Sequence, residues 1–176
     1  MTGKFLSIFF SVPGTVGSRF SSMSNLVQSH AEILKLLKGS ISTPGSVNLQ
    51  IPPRCADELQ VSFLEYEKNK RLKATFPVPE KYNNPAGILQ GGFLSAYFDN
   101  VFGPFSFLVA KNPTTTLDLS VHYVRAINSG ETVTIEVFLE GKGLQTMHMT
   151  GKAYIKKEKL AATASTTLMI LRPPRN

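Results

Sequence analysis

Four β-rich runs, residues 115–125, 132–140, 146–156 and 160–171, follow one another with no helical stretch between them. Asn128-Ser129-Gly130 and Gly141-Lys142-Gly143 are turn signals between the first three, and residues 156–159 form a charged hairpin tip before the last. Two further alternating runs, residues 59–66 and 71–78, flank Lys68-Asn69-Lys70 and read as a hairpin. Between these blocks lies the most apolar stretch of the chain, residues 92–102, which predicts one buried helix. Gly103-Pro104 is expected to kink or end that helix, because Pro104 has no N–H and its ring meets the carbonyl of Asn100. Two strands, one helix and then four strands contain no repeating βαβ unit. The fold class is therefore α+β, an antiparallel sheet with one long central helix laid across it.

The start of the chain reads differently. Residues 1–24 are rich in Ser, Gly and Phe, have Lys4 and Arg19 as their only charges, and the first acidic residue is Glu32. That composition predicts an organelle-import segment, with mitochondrial delivery favoured over a cytoplasmic protein bearing a plain tail. A secretory signal fits less well, since the apolar stretch 5–10 is short, interrupted by Ser7 and without a small-residue cleavage site. Residues 25–38 predict an amphipathic helix with Val27, Leu34 and Leu37 near one face and Gly39 as its stop, and residues 39–53 a Gly/Ser/Pro-rich loop. One domain over residues 25–176 is expected.

Hydrophobic residues at 42% and charged residues at 18% are a globular balance and exclude a disordered chain. The net charge of +7 favours an anionic partner. Nucleic acid is disfavoured, because no Arg-rich helix and no aromatic-basic alternation occurs. Cys55 is the only cysteine, so no internal disulfide forms and a reducing compartment is the natural reading. His30, His122 and His148 are scattered without zinc-ligand spacing, and neither a metal nor a cofactor is expected. No apolar run is read as approaching the ~20 residues of a membrane span.

Walker A, G-x-G-x-x-G, G-x-S-x-G and H-E-x-x-H patterns are all absent, which removes the corresponding nucleotide, dinucleotide, serine-hydrolase and zinc-protease readings. What stands out is Asn84-Pro85-Ala86-Gly87-Ile88-Leu89-Gln90-Gly91-Gly92 and, after six residues, Asp99. Two glycines at a helix start leave backbone N–H groups open at the positive end of the helix dipole, the physical description of an oxyanion hole. The same glycines also suit a tight loop with no chemistry. Asp99 lies among apolar neighbours, and Ser95, Asp99 and Ser106 share a helical stripe that faces either solvent or a polar cleft. Gln90 and Asp99 are nine positions apart, ~13 Å along one helix and on opposite faces. One subunit cannot bring both to a small substrate, whereas a symmetric dimer sets the helix start of one chain beside the mid-helix of its mate.

The Asn84–Gly92 motif with Asp99 in register, together with the later Thr116-x-Asp118-Leu119-Ser120-Val121-His122-Tyr123-Val124-Arg125, resembles the PaaI-like (phenylacetate-degradation type) acyl-CoA thioesterases of the hot-dog superfamily. The resemblance spans about residues 60–171. It implies a long helix wrapped by an antiparallel sheet, assembled as a homodimer or homotetramer, with CoA as part of the substrate rather than a cofactor. It also implies roles. Asn84 helps hold the substrate carbonyl or the water, the Gly91 N–H polarises the thioester carbonyl beside Gly92, and Asp99 activates water or attacks directly. Thr116 steadies that water, while Tyr123 and Arg125 lie on a strand where a basic residue meets CoA phosphates. Gln90 departs from the His of many relatives, and it hydrogen-bonds without titrating.

The expected activity is hydrolysis of an acyl-CoA, with a non-catalytic acyl-CoA-binding or structural hot-dog protein as the alternative. A hydratase is disfavoured because no His occurs between Leu72 and Ser120. Lys142, Lys152, Lys156, Lys157 and Lys159 read more readily as protection of a sheet edge than as phosphate ligands. Phe93, Tyr97, Phe102, Phe105 and Phe107 line an acyl tunnel or belong to the core, the commoner fate of such residues.

Overall fold

A computed structural model describes residues 25–40, 50–156 and 158–171. The import-like segment 1–24, most of the expected 39–53 loop and Lys157 lie outside the described residues. Among the described residues three helices and seven strands occur in the order β1 (Leu26–Val27), α1 (His30–Ser40), α2 (Arg54–Glu58), β2 (Ser62–Glu67), β3 (Arg71–Pro77), α3 (Gly91–Ala110), β4 (Thr114–Tyr123), β5 (Thr132–Lys142), β6 (Thr146–Ile155) and β7 (Lys159–Ile170). A single turn of 3-10 helix, Glu80–Tyr82, precedes the α3 loop. The strands form one antiparallel sheet in the order β1-β2-β3-β5-β6-β7-β4. The sheet wraps α3, in keeping with the α+β reading.

Period-two alternation sets the buried face. Leu72, Ala74 and Phe76 of β3 pair with Val137, Ile135 and Val133 of β5, and all six are fully buried. Further across, Val137 pairs with Gly151, Gly151 with Ala164, and Ala153 with Ala162. These small residues make a trough in which α3 approaches the sheet closely. A Cβ on Gly151 would meet Phe102 at 3.0 Å and Phe98 at 3.1 Å. Over β3, Tyr97 stacks on Phe76 at 4.4 Å and donates its hydroxyl to the Pro77 carbonyl at 2.8 Å.

The central helix runs through Gly103-Pro104 instead of ending near Phe102, so of the two expected effects, a kink or an end, the end is corrected. Proline in a helix interior costs ~3 kcal/mol. Here Phe98, Val101 and Phe102 before it and Phe105, Leu108 and Val109 after it are all buried on one continuous face. Each buried side chain of that size contributes ~1.5–3 kcal/mol, which outweighs the proline. Gly103 also lacks the Cβ that a proline ring would meet in the preceding helical residue. At 20 residues α3 is long and apolar enough to cross a bilayer by length and composition, contrary to the reading that no run is, and here it is the core helix.

The expected helix over residues 25–38 is corrected at its start. Leu26 and Val27 pair with Glu67 and Tyr66 at the β2 edge. The helix begins at His30, where the Ser29 hydroxyl accepts the Glu32 N–H at 3.4 Å in an N-capping geometry. Ile33 and Leu37 are buried, and His30 Nδ1 accepts the Phe63 N–H at 2.9 Å, tying α1 to β2. Helix α2 was not foreseen, and the strand expected from residue 59 starts at Ser62.

Candidate active site

The loop before α3 is held by its own polar groups. Asn84 Oδ1 accepts the Ala86 N–H at 2.9 Å and the Ile88 N–H at 3.3 Å. The backbone N–H groups of Asn84 and Gly87 close the loop onto the Ile88 and Asn84 carbonyls, and Gly87 sits at φ +76, a left-handed conformation that glycine adopts without strain. Gln90 donates its N–H to the Tyr82 carbonyl, and Tyr82 stacks on Phe93 at 4.0 Å. Gln90 is the exposed N-cap, and its side chain makes no capping bond. Its carbonyl accepts Phe93 and Leu94, while the N–H groups of Gly91 and Gly92 have no partner among the described residues. The positive end of a 20-residue helix therefore presents two open donors.

Tyr123 lies against this helix start. Its hydroxyl donates to the Gly91 carbonyl at 3.0 Å and is 2.9 Å from Ser95 Oγ, and a Cβ on Gly91 would meet its ring at 3.1 Å. Asn84, Gly91, Tyr123 and Arg125 together line a cleft of about 370 Å³. The Arg125 guanidinium donates to the Leu160 carbonyl and is exposed at the mouth.

Asp99 lies further along α3, facing β4. Thr116 Oγ1 donates to Asp99 Oδ1 at 3.0 Å, and Oδ2 has no hydrogen-bond partner among the described residues. Ser106 is fully buried, 2.5 Å from Thr114 Oγ1 and 2.6 Å from the Gly103 carbonyl. Along the stripe, Ser106 is thus buried, while Ser95 and Asp99 are partly exposed and engaged by hydroxyls of β4. The stripe forms a seam with Tyr123, Thr116 and Thr114. Seven residues separate Thr116 from Tyr123, so strict alternation would set them on opposite faces. A β-bulge between Thr116 and Asp118 adds one residue and restores the phase, and Thr114, Thr116, Leu119, Val121 and Tyr123 pair with the inward residues Ile170, Leu168, Thr166, Ala164 and Ala162. Strand β4 is also a sheet edge, with Leu117, Tyr123 and Val124 more than half exposed.

Within one chain Asp99 does not line the Asn84–Gly91 cleft. Eight residues separate it from Gly91, ~12 Å of rise and ~80° of rotation. Its other flank borders a second, apolar cleft of about 250 Å³ between α1, α2 and α3. Among the expected tunnel aromatics Tyr97, Phe102 and Phe105 are core, Phe93 packs on Tyr82, and Phe107 lines this second cleft.

The 126–131 loop braces the site from behind. Leu89 donates to the Ile127 carbonyl, and the buried Glu131 accepts the Asn128 N–H at 2.9 Å and pairs with Lys156 at 2.7 Å. The Lys156 ammonium, then the Asn128 N–H, hold the Glu131 carboxyl below its ordinary range. Lys142 donates to the Val109 carbonyl at the α3 C-terminus, where a cation is favoured by the helix dipole. Two of the five lysines weighed as edge protection are thus engaged in specific contacts. Among the described residues no group of three or more His, Cys, Asp or Glu is arranged to hold a metal ion.

Sequence reasoning had no access to Thr114, to the Ser95–Tyr123 bond or to the α1 and α2 walls. The Ser29-x-x-Glu32 capping pattern was the available signal for the true start of α1.

The thioesterase superfamily model matches residues 86–162. The chain is similar to the E. coli PaaI protein of the phenylacetic acid degradation operon at 14% identity and TM-score 0.68, over 82% of this chain and 97% of that one. A putative thioesterase from Ralstonia eutropha JMP134, described as related to phenylacetic acid degradation, is 25% identical with TM-score 0.63, over 78% and 98% of the two chains. A Streptococcus mutans protein solved bound to acetyl CoA is 18% identical with TM-score 0.62, over 75% and 100%. No curated protein matches by sequence.

Proposed function

We propose that this chain, which matches the thioesterase superfamily model over residues 86–162 and shares the fold of the E. coli PaaI protein, hydrolyses an acyl-CoA to the free acid and CoA at a site completed by two copies of the chain. The observation that carries this reading is the pairing of open Gly91 and Gly92 N–H groups at one helix start with a Thr116-oriented, otherwise unpartnered Asp99 oxygen on the same helix.

In this reading the thioester carbonyl accepts the Gly91 N–H, and Asn84 assists through its Nδ2, since its Oδ1 is committed to the loop. Asp99 of the second copy takes a proton from water as it adds to the carbonyl, or attacks the carbonyl itself. Charge gathering on the carbonyl oxygen is met by the helix N-terminus. Collapse then breaks the C–S bond: when water was the nucleophile the CoA sulfur leaves with the proton that Asp99 took, and when Asp99 attacked, the thiolate leaves first and water then hydrolyses the acyl-Asp99 anhydride, giving the free acid, with the proton that this releases passing to the thiolate. Gln90 is exposed beside the donors and in this reading serves by hydrogen bonding alone, since its amide does not titrate. Arg125, at the cleft mouth, suits the CoA phosphates, and the CoA-bound S. mutans relative supports that ligand class. The exposed edge strand β4 supports a homodimer, or a homotetramer built from it. Mitochondrial import through residues 1–24 is part of the proposal and is tested by locating a fluorescent fusion with and without them.

The test of the activity is thiol release from short, long and aromatic acyl-CoAs by wild type and Asp99→Asn. A drop of about 10²–10⁴ in rate with acyl-CoA binding retained is expected. Binding without thiol release by the wild type would instead favour the non-catalytic acyl-CoA binder, the reading that Gln90 supports.

A further inference from the structure

The apolar cleft on the far flank of Asp99 has a composition and a position that the hydrolytic residues do not explain. Setting Asp99 at 0° around α3, with ~100° per residue, Ser95 and Ser106 fall at ~−40° and ~−20°, and Gly103 and Phe107 at ~40° and ~80°. Asp99 therefore stands at the seam between two surfaces. On one side is the hydroxyl row facing β4. On the other is a wall in which Gly103 and Phe107 face Leu34 and Leu37 of α1, Cys55 of α2 and Phe63 of β2. Cys55 Sγ is 3.5 Å from Asn100 Oδ1, so the thiol lies at the rim, next to the residue that follows Asp99. The α1, α2 and β2 residues of this wall all lie outside the 86–162 thioesterase match.

We infer that the acyl group of the substrate is seated in this cleft, with Asp99 at its rim and chain-length selectivity set by α1 and α2. The inference rests on the hydrolytic reading of Asp99. A group attached to the carbonyl that Asp99 attacks must lie within a few ångströms of it, and the cleft is an apolar volume among the described residues that Asp99 borders. An apolar cavity of ~150 Å³ is large enough to hold benzene. The volume here, about 250 Å³, suits an apolar acyl group well beyond acetyl, a medium-length alkyl chain or an arylacetyl group. The polar opposite flank, with the hydroxyls of Ser95, Ser106, Thr114, Thr116 and Tyr123, is the wrong chemistry for such a group.

The test uses Cys55, the only cysteine of the chain, as an exposed reporter at the rim. In the slow Asp99→Asn protein, N-ethylmaleimide labelling of Cys55 is followed with saturating decanoyl-CoA, phenylacetyl-CoA, acetyl-CoA or CoA. At least tenfold protection by decanoyl-CoA, phenylacetyl-CoA or both is expected, and none by acetyl-CoA or CoA. Which of the two protects decides between an alkyl and an aryl occupant. In otherwise unaltered enzyme, kcat/KM should rise about fourfold per added methylene until the cleft is full. Cys55→Phe should lower the decanoyl-to-acetyl ratio of kcat/KM at least tenfold, and Phe107→Ala should move the optimum to a longer chain.

Equal labelling with every ligand, together with an unmoved chain-length profile, overturns the inference while leaving hydrolysis intact. Slow labelling without ligand that no acyl-CoA changes also overturns it, because the chain itself then fills the cleft. Selective protection of Cys55 with no thiol release from any acyl-CoA would sustain the acyl site and refute hydrolysis.

Discussion

If the site is completed by two chains, inactive subunits should rescue one another. The distances within one chain support it. A reacting thioester carbon needs its oxyanion donor and its attacking oxygen each within ~3 Å or so, about 6 Å in all. The Gly91 N–H and the Asp99 carboxylate of one chain are separated by ~12 Å of helix rise. Asp99→Asn removes the base and should cost about 10²–10⁴ in rate, ~3–5 kcal/mol of transition-state stabilisation. For the other half-site Asn84→Asp is preferable to alanine. It preserves a side-chain oxygen for the Ala86 and Ile88 N–H groups that hold the loop, while replacing the amide donor proposed to meet the substrate by a negative charge that opposes the developing oxyanion. A dimer of one chain of each kind has one site with both residues intact and one with both lost. Equal mixing with full exchange makes about half the dimers mixed, so activity should recover to about one quarter of wild type per chain. The assay is thiol release before and after exchange, with native mass spectrometry of isotope-labelled chains to count mixed dimers. Mixed dimers that remain as inactive as their parents would refute the shared site.

Three further outcomes are expected. Thr116→Val removes the one hydrogen bond to Asp99 and, discounted for the exposure of Thr116, should lower kcat roughly five- to twelvefold with KM little changed; an unchanged kcat would show that Thr116 does not orient the carboxylate. Gly151→Ala adds a methyl within 3.0 Å of the Phe102 ring, an overpacking cost of about 1–3 kcal/mol, so the Tm should fall by roughly 2–12 °C, and a Tm that holds or rises would contradict the close helix–sheet approach. Because Lys156 holds the Glu131 carboxyl below its ordinary 4.5, ionised Glu131 favours the folded state; the stability advantage of wild type over Glu131→Gln should be present at pH 7 and be lost as pH falls from 4.5 through the lowered folded-state range, and urea midpoints whose gap does not shrink on acidification would refute the pairing.

Much of this molecule was legible locally. The four strands between residues 114 and 170 carry period-two patterns broken by turn residues, and a strand with one buried face has little freedom to register otherwise. The Gly91-Gly92 helix start was legible because open N–H groups there follow from backbone geometry alone. The helix does not end at Pro104, one of the two effects a local rule allows, because burial of phenylalanines on both sides is a property of the packed fold. Leu26-Val27 was misread because two residues carry too little pattern to outvote the helical one beside them, and only the free edge of β2 made them a strand.

The rest belongs to contacts between residues far apart in the chain. Thr116 reaches Asp99 across 17 positions and Tyr123 reaches Ser95 across 28, with a one-residue bulge setting both hydroxyls on the inner face of β4. No periodicity announces that bulge. The second cleft joins α1, α2 and β2 to α3 through residues up to about 70 positions apart. Sequence alone thus determined which backbone groups and which carboxylate were available for chemistry, since those depend on residue type and neighbours. Tertiary structure alone decided what each would face, because pairing across a sheet and packing across a helix are chosen by the burial of the whole core and not by any segment within it.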